Sequence, residues 1–153
     1  MEQMSFVKKN ADRYEAIAHL KSLCRGEMAA VESYRQALEV TSEDWIVVQL
    51  IRNLASHQGR ADALRLRIVE LGGDPPEGTG AWGILARAAE EAAPGGDWSA
   101  LPVLEQGEAD GLIDYQSNLD QLDIESRRLI RDYFLPQQRH THRIVSEIKL
   151  LVS

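Results

Sequence analysis

The sequence predicts an all-α protein, an up-down four-helix bundle made of two duplicated helical hairpins joined by a long crossover. Three observations predict it. Apolar residues recur at steps of three and four over long stretches, and no stretch alternates with the period of a strand. Short turns follow the first and third predicted helices, whereas a long Gly- and Pro-rich stretch follows the second. The two halves of the chain also match one another when one is shifted along the other. The whole of residues 1–153 is expected to form one domain, a length that supports a core.

Residues 1–9 read as a solvated N-terminal tail. Asn10 is the expected N-cap of the first helix, which runs without Pro to about Val40. Thr41 and Asp44 have capping-box spacing, and the second helix runs from about Glu43 to Leu71. Gly72-Gly73 is a C-terminal glycine stop. Residues 72–98 form the crossover, with a short helix over Ala81–Ala93 closed by Pro94-Gly95-Gly96. Ser99 caps a third helix over about Ala100–Leu122, with Pro102 tolerated in its first turn. Asp123 starts a fourth helix reaching about Val152, and Pro136 inside it predicts a kink or local defect.

The formal net charge of −7 argues against a nucleic-acid partner or an anionic membrane surface. Lys8-Lys9 is too short a basic run to bind either. The single cysteine, Cys24, cannot form an internal disulfide, and its apolar helical position reads as a small packed hydrophobe. There is no signal-like apolar run and no stretch of roughly 18 apolar residues. The expected location is the cytoplasm. No phosphate-binding glycine loop, paired-cysteine zinc motif or Ser-His-Asp arrangement is present.

The internal repeat is most visible between the first and third helices. At an offset of 81, Leu20, Leu23, Gly26, Glu27, Tyr34 and Leu38 fall on Leu101, Leu104, Gly107, Glu108, Tyr115 and Leu119. Leucine matches alone mean little in amphipathic helices. A Gly-Glu pair with Tyr seven residues after the Glu is far less expected by chance. The second and fourth helices match more weakly, Leu50-Ile51-Arg52 against Leu129-Ile130-Arg131, at an offset of 79.

The predicted seam of each helix is interrupted near its middle by a polar residue. The first helix places Glu27 there, the second His57, the third Glu108, and the fourth Gln137 and His140. A buried carboxylate without partners costs several kcal/mol, so it pairs, protonates or binds metal. His57, His140, Gln137, Arg60, Arg139 and the hydroxyls of Tyr34 and Tyr115 are the candidate partners. His142 lies off the seam, and His19 is a weaker candidate still. Gly26, Gly107 and Gly111 are expected to permit close helix approach.

With a Glu in the first and third helices, a Tyr seven residues after each, and duplicated hairpins with one crossover, the chain resembles the ferritin-like superfamily. It is most similar to a bacterial ferritin-like four-helix-bundle family of unknown function, through Cys24-Arg25-Gly26-Glu27, Leu71-Gly72-Gly73-Asp74-Pro75 and Glu105-Gln106-Gly107-Glu108. The resemblance covers about residues 10–152. Di-iron members of the superfamily add Glu-x-x-His on the second and fourth helices. Here the second helix offers His57-x-x-Arg60 and the fourth Gln137-x-x-His140, so the ligand set is incomplete.

The resemblance therefore implies a non-catalytic bundle with a degenerate metal-site core, stress-related or acting through its surface. The alternative is a metal-binding redox or storage protein related to rubrerythrins and ferritins. It would hold iron or zinc with Glu27, Glu108, His57 and His140, supported by Tyr34, Tyr115, Arg60 and Gln137. Trp82 and Trp98 flank the short crossover helix. They either staple the crossover to the bundle or form a homodimer contact.

Overall fold

The computed structural model describes residues 2–78 and 100–153. The expected short helix, its Gly-Pro closure, Ser99, Trp82 and Trp98 lie outside the described residues. Among the described residues every regular element is helical.

Helix α1 spans Glu2–Val40. It begins ahead of Asn10, which is therefore not its cap, because no Pro or Gly interrupts residues 2–9. Thr41 does not build a capping box. Its Oγ1 instead donates 2.6 Å to the Ala37 carbonyl and closes the end of α1. Helix α2 (Asp44–Glu70) starts after Glu43, whose side chain makes no capping bond. Its far end is a Schellman stop: Gly73 N–H donates to Ile68 O and Gly72 N–H to Val69 O, both at 2.9 Å. Gly72 has φ +88, and a Cβ on Gly73 would lie 2.7 Å from a methyl of Ile17.

Helix α3 (Leu101–Gln116) is shorter than the periodicity predicts. Its apolar spacing continues to Leu122, but Asn118 turns left-handed at φ 58 and a 3-10 turn, Leu119–Gln121, follows. Arg127 secures this corner by donating to the carbonyls of Leu119 and Leu122, each at 3.0 Å. The fourth helical run opens as predicted at Asp123, whose Oδ2 accepts from Ser126 N–H. Arg67 of α2 also donates 2.6 Å to Asp123 Oδ2, tying the end of α2 to this start.

That run has three parts: α4 (Ile124–Leu129), a π-helical turn (Ile130–Phe134) and α5 (Leu135–Val152). The π turn is the defect that Pro136 forecasts. Pro136 has no N–H to offer the carbonyl four residues back, and Leu135 N–H reaches five residues back to Ile130 O.

The helices pack as a square, α1 on α2, α2 on α5, α5 on α3 and α3 on α1. Two apolar clusters fill it. One joins the early part of α1 (Leu20, Leu23) to the late parts of α2 and α3 (Leu64, Tyr115) and to Phe134. The other joins the late part of α1 (Ala37) to the early parts of α2 and α3 (Leu50, Leu101) and to Val145. Thus α1 runs antiparallel to both α2 and α3, and the end of α2 and the start of α3 lie at opposite ends of the described bundle. Between the two clusters lies a buried polar layer.

Candidate functional site: a buried carboxylate–imidazole–guanidinium centre

The layer is built from one turn of each long helix. From α1 and α3 come Glu27 and Glu108, each at most 4 % exposed. From α2 comes His57, placed between them: Nδ1 is 2.6 Å from Glu27 Oε2, and Nε2 is 2.6 Å from Glu108 Oε1. Both ring nitrogens face carboxylate oxygens, so both must donate, which only the imidazolium can do. Burial alone would push the His57 pKa down. Attraction to Glu27 and hydrogen bonds to Glu108 and Glu27 outweigh it and raise the pKa to about 8. Burial likewise favours a neutral Glu108, but His57 overcomes that and holds its carboxyl below the usual range, aided by Tyr34 and Thr141.

Arg60, one turn after His57 and 1 % exposed, supplies the second positive charge. Its Nη1 is 3.2 Å from Glu27 Oε1 and also donates to Gln138 Oε1, while the guanidinium lies over the Tyr115 ring. Arg60 Nη2 approaches His57 Nδ1 to 3.1 Å. With the ring protonated this is a donor–donor contact, held by the Glu27 carboxylate that accepts from His57 and pairs with the Arg60 guanidinium. Two carboxylates therefore face two cations, and the layer is neutral as a whole.

The two hairpins close the layer reciprocally. Tyr34 donates 2.5 Å to Glu108 Oε1, and Tyr115 donates to Glu27 Oε1. Each repeat's tyrosine thus serves the other repeat's glutamate. Burial, then the neighbouring carboxylate, pushes both phenols well above their ordinary pKa. Gln138 Nε2 at 2.9 Å and Thr141 Oγ1 at 2.7 Å donate to Glu108 Oε2. Asn53 donates 3.1 Å to Tyr34 Oη and 3.1 Å to the Thr141 carbonyl. Glu108 consequently accepts four side-chain hydrogen bonds, two on each oxygen.

Glu27, Glu108, His57, Arg60, Tyr34 and Tyr115 are therefore brought together as the sequence led us to expect. Gln137 and His140 are not: both are exposed on α5. The π turn is the reason. It inserts one residue into the helical period, so a seam counted at a regular period through 133, 137, 140 and 144 is buried instead at Phe134, Gln138, Thr141 and Val145, while Ile148 is buried where the regular period puts it. Tyr133 is correspondingly 62 % exposed and Leu151 73 %. Arg139 also faces solvent, whereas Cys24 is buried as expected.

The sequence reading missed Asn53, Gln138 and Thr141. A signal for two of them was present, because the offset of 81 that pairs Glu27 with Glu108 also pairs His57 with Gln138 and Arg60 with Thr141.

The donor set does not fit the resident di-metal centre implied by the ferritin-like resemblance. Both oxygens of Glu108 are saturated, both nitrogens of His57 carry protons, and a guanidinium already lies against Glu27. Among the described residues no group of three or more His, Cys, Asp and Glu side chains is arranged to hold a metal ion. Nor is any described helix long and apolar enough to cross a membrane. Comparison with protein families, curated proteins and solved structures returned no match.

Proposed function

We propose that the chain is a ferritin-like bundle that is non-catalytic at its centre, one in which protein cations stand where metal-dependent members hold their metal. The observation that carries this reading is His57, whose two ring nitrogens each lie 2.6 Å from a glutamate of a different repeat. A bridging imidazolium balances two carboxylates much as a bridging cation would, and Arg60 balances the remaining charge. What is left is a scaffold with a fixed polar core and no ligand position open for oxygen or substrate at a metal. Its work then lies in what its surface and cavities bind.

The competing reading is a metal-binding redox or storage protein using Glu27, Glu108 and His57. One experiment separates the two. Protein purified without chelator is assayed for bound metal and then titrated with iron and zinc, beside a Glu27→Ala, Glu108→Ala double variant. The expected result is no stoichiometric metal in either. Stoichiometric binding by the wild type that the double variant loses would favour the metal reading instead.

A further inference from the structure

A cavity of about 500 Å³ lies between α1 and α3, directly over the polar layer. Its walls are apolar, with Leu23, Ala30, Val103 and Leu104 among them, and Glu27, His57 and Glu108 contribute to its lining. The volume falls in the range of small-molecule sites, roughly 300–1,000 Å³. The duplicated glycines open it: a Cβ on Gly26 or on Gly107 would meet nothing within 4 Å. These two glycines therefore do not serve close helix approach, as their sequence context suggested. Gly111 does, since a Cβ there would lie 2.6 Å from Gln138 Nε2.

Three features define what the cavity would hold. First, the lining is mostly apolar, which calls for an apolar body. Second, the two glutamates differ in their hydrogen bonding. Glu108 has four donors, but among the described residues Glu27 Oε2, on a side chain 4 % exposed, accepts only from His57. A carboxylate oxygen can accept a second bond, so Glu27 offers a buried acceptor position to a donor group. Third, among the described residues the lining contains four carboxylates, Glu27, Glu108, Asp110 and Asp114, and no Lys or Arg. His57 and Arg60 offset two of these charges and leave those of Asp110 and Asp114. Partial burial of its carboxyl and then Asp110, one turn away, hold Asp114 above its usual range against the opposing pull of His19, although the side chain as a whole is exposed.

We propose that the α1/α3 cavity is a binding site for a small amine with an apolar body, its ammonium group donating to Glu27 Oε2 and its body lying along the Gly26 and Gly107 faces. This goes beyond the metal-free reading of the centre. The two fail separately, because metal is read by elemental analysis and amine binding by calorimetry in buffer containing chelator.

Tryptamine, its neutral counterpart tryptophol and the anion indole-3-propionate are titrated into the full chain. Tryptamine is expected to bind at one site, at least about tenfold more tightly than tryptophol, the worth of one charge-assisted hydrogen bond. The anion is expected to be weaker than both. Gly107→Leu, which fills the cavity and improves helix propensity, is expected to abolish binding while leaving the circular dichroism intact. Glu27→Gln is expected to remove the preference for the amine over the alcohol. Absence of binding, equal affinity for amine and alcohol, or unchanged binding by Gly107→Leu would overturn the proposal.

Discussion

His57 is held by two carboxylates from different repeats, and its removal would leave both of them buried with Arg60 as the one remaining cation of the layer. His57→Ala is therefore expected to cost about 3–5 kcal/mol of unfolding free energy, the range for breaking a buried ion pair on one side. Urea denaturation at pH 7 checks it. The same residue sets a pH dependence. Its folded pKa of about 8 lies above the ordinary 6.5, so the folded state binds its proton more tightly than the unfolded chain does. That stabilisation is fully present below pH 6.5 and is lost as pH rises through about 8. Its size is on the order of 2 kcal/mol. Glu108 acts with the opposite sign. Its depressed pKa contributes stability above the ordinary carboxylate range, lost as pH falls through its folded value. Urea midpoints should fall between pH 6.5 and pH 9 in the wild type, and this fall should be absent from His57→Ala.

The glycines at offset 81 and the π turn show what the helices themselves determine. Gly107→Ala adds a methyl into open space and should stabilise by about 0.5–1 kcal/mol through helix propensity. Gly111→Ala, only one turn on, drives its methyl against Gln138 and should destabilise despite the same propensity gain. Thermal melts of the two variants should shift in opposite directions. The helices α1 and α2 were legible in the sequence because their apolar period runs unbroken, and the polar interruptions Glu27, His57 and Glu108 were legible with them. The second half of the fourth run was misphased for a local reason. A 3.6-residue period carried through Pro136 places Gln137 and His140 in the seam, but the backbone accommodates the missing N–H by taking in an extra residue, which brings Gln138 and Thr141 there instead. The end of α3 was overrun for a different reason. Leu119 and Leu122 keep helical spacing, yet they belong to a corner set by Asn118 and held by Arg127, a contact from beyond the turn.

At the scale of the molecule, the centre follows the internal sequence match at offset 81. Antiparallel placement of α1 and α3 lets each tyrosine reach the other repeat's glutamate, a pairing that no single hairpin could make. Across the same offset α2 and α5 differ, with His57 and Arg60 on one side and Gln138 and Thr141 on the other. Both cations therefore come from one repeat, while the other contributes neutral donors. Apolar clusters flank the layer on both sides and its side chains are almost fully buried, which strengthens each of its hydrogen bonds and makes any unpaired charge costly. Whether His57 bridges the glutamates as a cation can be read directly from the ring nitrogens by ¹⁵N-detected NMR across a pH titration. The account predicts that both His57 nitrogens carry protons at pH 7, that they titrate with a midpoint near 8, and that added iron or zinc leaves them unchanged. A neutral single tautomer at pH 7, or signals displaced by one equivalent of metal, would contradict it.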